Sequence, residues 1–136
     1  MALTRTSDWL EQLHSYIEAQ RLRRYHAVRN NCCTFVAGGI LAMTGADVAR
    51  QQNWSARSLR AVAELLERQG GVRGMATAVL GEPRPPLLAR RGDVVLFAGV
   101  DGEAIALCVD SDAVMVTRDG LARLALTDCI ASWQVG

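Results

Sequence analysis

The chain has 136 residues, half of them hydrophobic, and its formal net charge at pH 7 is +1. This length fits one compact domain that can bury roughly two-thirds of the surface exposed by the unfolded chain. Because the charges nearly cancel, the composition indicates neither disorder nor a general electrostatic attraction to nucleic acid or membranes. The N-terminus lacks the apolar core of a signal peptide, and no later run approaches about 18 apolar residues. We therefore expect synthesis in the cytoplasm, with no nucleic-acid partner and no membrane insertion.

Apolar residues at helical spacing dominate the first 80 residues. In the first predicted helix, Asp8 and Glu11 have the spacing of a capping box. Asn31 is a favourable N-cap for a second helix that begins at Cys32 and ends near Gly45. The expected helices cover residues 7–24, 32–44, 58–69 and 75–80.

Prolines at positions 83, 85 and 86 end the helical half of the chain. The hydrophobic period then falls to about two, and Gly, Asp and Ser turns separate the apolar runs. The expected strands cover residues 94–97, 104–109, 113–116 and 121–126. We therefore predict an α+β fold in which N-terminal helices pack on a C-terminal antiparallel sheet. The expected single domain, 1–136, comprises a helical half (7–80), a proline-rich linker (82–90) and a β half (91–136).

Cys32 is the principal candidate for a reactive group. A thiolate in the first turn of a helix is stabilised by unpaired amide groups and by the helix dipole. Stabilisation of the thiolate lowers the pKa of the thiol, and the neighbouring Arg24 and Arg29 would lower it further. Cys32 is therefore a candidate nucleophile, and the alternative is a small hydrophobic residue at the end of the buried helix face.

The four cysteines fit no CxxC pattern and are expected to be free thiols. Helical rotation should point Cys32 and Cys33 towards different faces, which disfavours a metal site shared by these neighbours. On the second strand, Ala104 and Cys108 should share the face directed at Cys32. A redox pair, or a metal site that also includes Cys129, follows as one hypothesis and a core thiol as the other. The spacing supports no specific metal, and we expect no cofactor.

Two further motifs have structural interpretations. The Arg-Gly-Asp tripeptide at 91–93 reads as a turn into the first strand, not as an adhesion motif. The basic stretch 21–29 contains only Tyr25 as a stacking aromatic, so it is a weak signal for nucleic-acid binding. We expect a solvated helix end or a protein contact there.

Several short motifs together resemble the NlpC/P60 (papain-like) cysteine peptidases. They are Asn-Cys-x-x-Phe-Val at 31–36 and Arg-Gly-Asp-Val-Val-Leu-Phe at 91–97, before a run of short strands. In that family an Asp-Cys-Ser-Gly-Phe-like motif begins a helix, and a Gly-Asp pair precedes the first strand. The chain is more closely similar to a small NlpC/P60-like family of unknown function encoded in tailed-phage and prophage tail modules. Residues 32–37, 42–47, 120–121 and 132–135 carry this similarity, which extends over nearly the whole chain.

The resemblance implies roles for individual positions. Cys32 matches the peptidase nucleophile, whereas Ala104 stands where the family has its catalytic histidine, and an alanine cannot transfer a proton. The third, polar member of the triad would fall near Val116 or Thr117. Asn31 replaces the usual aspartate before the nucleophile.

The only histidines, His14 and His26, both precede Cys32 in the chain. His26 is a candidate substitute base if its loop folds back over Cys32. The alternative is an exposed or loop-packed imidazole beside Tyr25.

Three functions are compatible with these features. The first is a catalytically inactive structural component of a phage tail tip or tail assembly, contacting other tail proteins in the virion. The second is a peptidoglycan-cleaving cysteine peptidase that uses Cys32 as nucleophile during cell-wall penetration. The third is a thiol redox or metal-cluster module that uses Cys32, Cys108 and Cys129.

Overall fold

The computed structural model describes residues 3–136. The predicted α+β architecture is confirmed, because helices come first and an antiparallel sheet of five strands follows. The helices are α1 (Trp9–Gln20), α2 (Cys32–Thr44), α3 (Val48–Gln51), α4 (Leu59–Gln69) and α5 (Gly71–Leu80). The strands are β1 (Val94–Gly99), β2 (Gly102–Cys108), β3 (Asp112–Thr117), β4 (Gly120–Ala125) and β5 (Cys129–Trp133).

The start of α1 differs from the predicted capping box. The Asp8 side chain makes no capping hydrogen bond to the helix backbone. Its carboxylate instead accepts hydrogen bonds from the Thr6 hydroxyl at 2.8 Å and the Gln12 amide at 3.0 Å. The prediction was wrong because these neighbouring side chains compete for the carboxylate. The helix also ends at Gln20, four residues before the predicted limit.

Local capping fixes both ends of α2, as predicted. The Asn31 side chain accepts the amide of Thr34, whose hydroxyl in turn accepts the amide of Asn31. At the other end, Gly45 adopts a left-handed conformation with φ 77° and donates its amide to the Leu41 carbonyl. The first residue of the helix, Cys32, is therefore held in a defined position.

Two glycines let neighbouring elements approach α2 closely. A Cβ at Gly38 would overlap the Tyr16 ring of α1, whose hydroxyl donates to the Phe35 carbonyl at 2.6 Å. A Cβ at Gly39 would overlap the Leu107 side chain on β2. Helix α2 is thus packed tightly between α1 and the sheet.

The sheet order is β4-β3-β2-β1-β5, so the last strand lies beside the first. Residues Val94, Leu96, Ile105 and Leu107 point towards the helices, whereas Val95 and Ala106 belong to a smaller cluster on the opposite face. Strand β5 and the short α3 were not predicted. No helix within residues 3–136 combines the length and the hydropathy needed to cross a bilayer.

The carboxylate of Asp93 joins the two ends of the chain to the turn before β1. It accepts hydrogen bonds from the Arg5 guanidinium at 3.0 Å, the Val135 amide at 3.1 Å and the Arg90 amide at 2.9 Å. Asp93 is only 3 % exposed. Residues 91–92 form the turn before β1, as predicted, and the buried carboxylate is a structural group.

Candidate functional site

Cys32 lies where the N-terminus of α2 meets the sheet. The thiol is half-buried, and the pKa of Cys32 is lowered to about 7. The main cause is a hydrogen bond from the Cys33 thiol, and the backbone amides of Ile105, Cys32 and Cys33 act in the same direction against the effect of burial. The predicted activation by a helix N-terminus is therefore reinforced by a neighbouring thiol and by an amide of β2.

Cys33 does not point away from Cys32. The two sulfur atoms are 4.0 Å apart, and the Cys33 sulfur lies 3.8 Å from the thioether sulfur of Met75 on α5. The expectation that helical rotation would separate the thiols was wrong, because rotation about the side-chain bonds brings the sulfurs together. The hydrogen bond to Cys32, together with burial, raises the pKa of Cys33.

An open cleft of about 920 Å³ extends from these thiols along the sheet. Its walls come from the loop before α2, from α4 and α5, and from the β1–β2 and β3–β4 turns. Residues lining it include Tyr25, Cys32, Trp54, Leu66, Ala104 and Thr117. The cleft gives Cys32 access to solvent or to a partner.

Ala104 and Ile105 both line the cleft but lie on opposite faces of β2. Ala104 is paired with Phe97, which packs in the cluster on the face away from the helices. Glu103 shares the face of Ile105, and its carboxylate is paired with Arg73 of α5 at 3.0 Å. The Thr117 hydroxyl donates to the Gly120 carbonyl at 2.7 Å, inside the β3–β4 turn. None of these groups supplies an imidazole beside the thiol.

His26 belongs to the exposed loop before α2. Its Nδ1 accepts the backbone amides of Val28 at 3.2 Å and Arg29 at 3.0 Å, so the imidazole orders its own loop. Neither His26 nor His14 lines the cleft among the described residues. The structure therefore does not bring His26 into hydrogen-bonding contact with Cys32.

Cys108 does not face Cys32 either. Residues Ile105 and Leu107 pack against the helices, so the alternating pattern of β2 places Cys108 on the other face. The predicted grouping of Cys32 with Cys108 was wrong, because it assigned the wrong face of β2 to the helices. Burial raises the pKa of Cys108 to about 11 and also raises that of Cys129.

No cluster of three or more His, Cys, Asp or Glu side chains suited to a metal occurs within residues 3–136. The hypothesis of a site formed by Cys32, Cys108 and Cys129 is therefore not supported by the geometry. Sequence reasoning identified Cys32 but missed the Met75 sulfur and the Ile105 amide. No local signal marks either group, because both reach Cys32 or Cys33 only through tertiary packing.

Helices packed on an antiparallel sheet, with a thiol at the helix–sheet junction, define the architecture of the chain. Residues 4–135 match the model of a family described as a domain of unknown function (DUF6950). The chain therefore belongs to the DUF6950 family. No curated protein matches it.

Proposed function

We propose that this protein is a structural component of a phage tail tip or tail assembly, built on a degenerate NlpC/P60 cysteine-peptidase fold. The observation that carries the proposal is a half-buried Cys32 thiol that opens on a cleft without an imidazole among its described lining residues. The placement of this thiol at a helix start against a sheet is what the sequence resemblance to NlpC/P60 proteins implies.

The chemistry of amide cleavage supports an inactive site. A cysteine peptidase needs a base to activate the thiol and an acid to protonate the leaving nitrogen. The lowered pKa of Cys32 reduces the need for the base but provides no proton donor for the amine. Positioned acid–base catalysis contributes roughly 10² to 10⁴ in rate, so an unassisted thiolate would be a poor peptidase.

The cleft supports a role in protein contacts. It combines apolar residues such as Trp54 and Leu66 with the exposed ring of Tyr25. Apolar clefts with a few polar groups are suited to bind a segment of another protein. In this proposal the protein is synthesised in the cytoplasm of the bacterial host and is assembled into the virion tail against other tail proteins.

Deletion of the gene from a phage or prophage that encodes this chain tests the proposal. We expect defective tails by electron microscopy, and restoration of tails by both the wild-type gene and the Cys32→Ser variant. Mass spectrometry of purified virions should detect the protein. The proposal fails if virions lack the protein and deletion leaves infectious tails of normal shape.

A second candidate function is a peptidoglycan-cleaving cysteine peptidase. The specific observation in its favour is that the Cys32 thiol faces the cleft with its pKa lowered to about 7. In this case peptidoglycan is the contact outside the tail, and His26 is the candidate base after a rearrangement of its loop.

Zymography on murein under reducing conditions distinguishes the two functions. A peptidase should form a lytic band that is lost in Cys32→Ser and reduced in His26→Ala. His14→Ala is the matched control, because His14 is on the exposed side of α1 and should leave any lytic activity unchanged. Absence of lysis by the native protein, alone and in assembled tails, excludes this second function.

A further inference from the structure

Three sulfur atoms lie in successive contact at the N-terminal end of α2. They belong to the adjacent thiols of Cys32 and Cys33 and to the thioether of Met75 on α5. The successive separations are 4.0 Å between the thiols and 3.8 Å from Cys33 to Met75. Two different helices therefore place three soft donors in succession, with the Cys33 sulfur in contact with both of the others.

Each of these two separations matches the distance between two sulfurs bound to one metal ion. Metal–sulfur bonds have a length of roughly 2.3 Å in thiolate sites. Two sulfurs bound to one ion at that length lie roughly 3.8 Å apart at tetrahedral angles and roughly 4.0 Å apart at trigonal angles. Neither thiol would have to move far to share an ion.

The donor set selects the kind of metal. Thiolate and thioether sulfurs are soft ligands that favour Cu(I), whereas carboxylate and carbonyl oxygens favour hard cations. A structural zinc site takes four ligands, usually cysteine or histidine. No third cysteine and no histidine joins Cys32 and Cys33 among residues 3–136. We propose that Cys32, Cys33 and Met75 form a binding site for one Cu(I) ion.

The surroundings of the sulfurs suit a soft ion. Cys33 and Met75 line a small cavity of about 10 Å³ whose other walls are apolar, including Val36, Ile40 and Ile105. Cys32 and Cys33 also line the open cleft, so the ion has a path from solvent. The site is therefore shielded on one side and accessible on the other.

Trp54 belongs to the walls of both cavities next to the sulfurs. The indole Nε1 is buried and has no hydrogen-bond partner among the described residues. Two thiolates and one Cu(I) leave a net charge of −1, which the amides at the start of α2 stabilise. Coordination releases to solvent whatever protons the two sulfurs still carry.

Anaerobic competition with the Cu(I) chelator bathocuproine disulfonate tests the site in the full chain. We expect the wild type to retain one Cu(I) per chain. The Cys33→Ser variant should weaken Cu(I) binding by about 100-fold or more, because loss of a direct ligand exceeds the roughly 10- to 100-fold effect of groups around it. Met75→Leu preserves the packing volume and should weaken binding by about tenfold.

Matched controls separate the site from general thiol binding. Cys129→Ser and Met115→Leu alter the same residue types on the other face of the sheet, and both should keep affinity within about twofold. The proposal is overturned if the wild type retains no copper. It is also overturned if Cys33→Ser binds as tightly as the wild type, or if Cys129→Ser loses as much affinity.

X-ray absorption of the copper-loaded wild type requires no variant to fold. The expected first shell contains three sulfur atoms at roughly 2.3 Å. A shell containing nitrogen or oxygen, or only two sulfurs, contradicts the site. This measurement concerns the ligands of the ion and is independent of any role of the protein in tails.

Discussion

Cys32 and Cys33 are adjacent in the chain but have opposite acid–base behaviour. The hydrogen bond between their sulfurs lowers the pKa of Cys32 and raises that of Cys33. A thiolate at Cys32 accepts this bond, and Cys33 can donate it only while protonated. The pair therefore holds a single negative charge, located on the sulfur nearer the Ile105 amide.

Alkylation of the metal-free protein should reveal this difference. Since a lowered pKa means that thiolate accumulates at a lower pH, iodoacetamide should modify Cys32 with a rate that rises around pH 7. In Cys33→Ala the rise should move upwards, towards the ordinary cysteine value of roughly 8.5. Peptide mass spectrometry measures the rates, and Cys129→Ala is the control. An unchanged profile in Cys33→Ala would show that the neighbouring thiol is not the cause.

The prediction of the site from sequence succeeded where local chemistry decides it. Asn31 and Gly45 place Cys32 at the start of α2 through caps that need no tertiary contact. The partners of the thiol were missed because Met75 lies 42 residues from Cys33. The assignment of the strand face of Cys108 failed because period two defines two faces without saying which one meets the helices.

At the scale of single elements, α2 depends on its N-cap. Replacing Asn31 with Ala removes the side-chain oxygen that accepts the Thr34 amide, which is one half of the reciprocal capping interaction. We expect a loss of about 1 kcal/mol in the free energy of unfolding, measured with urea. Asn31→Asp keeps an acceptor oxygen and should remain within about 0.5 kcal/mol of the wild type. Equal losses in both variants would contradict the capping role.

The packing of α2 on the sheet depends on the missing side chain at Gly39. Gly39→Ala should lower the free energy of unfolding by about 1–3 kcal/mol, because the new methyl group overlaps Leu107. Leu41→Ala, on the exposed side of the same helix, should change the free energy of unfolding by no more than about 0.5 kcal/mol. Chemical denaturation compares the variants. A Gly39→Ala protein as stable as the wild type would mean that α2 can move away from β2 at no cost.

Element prediction also failed for identifiable reasons. Strand β5 is short, and its partner is β1, some 35 residues earlier, not its neighbour β4. Helix α3 consists of a single turn capped by Asp47, too short for a periodic pattern. By contrast, α4 begins after the Ser58 cap and ends at Gly70, so local signals were sufficient there.

At the scale of the whole molecule, the ion pair between Arg5 and Asp93 ties the N-terminal segment to the start of β1. Arg5 also donates to the carbonyls of Val135 and Arg91, and its guanidinium stacks over Trp9 at 4.2 Å. Removal of Arg5 would leave the Asp93 carboxylate buried without its counter-ion.

Arg5→Ala should therefore lower the free energy of unfolding by about 2–4 kcal/mol, since breaking one side of a buried pair leaves an uncompensated charge. Arg91→Ala is the matched control. Its partner Asp110 is exposed, and such surface pairs contribute about 0–1 kcal/mol. Thermal or urea unfolding of both variants measures the difference. Similar losses would indicate that Asp93 is satisfied without Arg5.

The position of β5 beside β1 has a consequence for biosynthesis. Trp133 and Val135 are completely buried, and Trp133 lies opposite Val94 in the register. When a nascent chain has emerged from the ribosome as far as β4, one edge of β1 is still unpaired, because β5 has not yet emerged. The sheet can therefore be completed only after residues 129–135 have left the ribosome. Pairing of β5 with β1 is also expected to be slow, because the two strands are distant in the chain. Until then the apolar edge of β1 can pair with the wrong strand, so we expect chaperones to bind the chain mainly at this late stage.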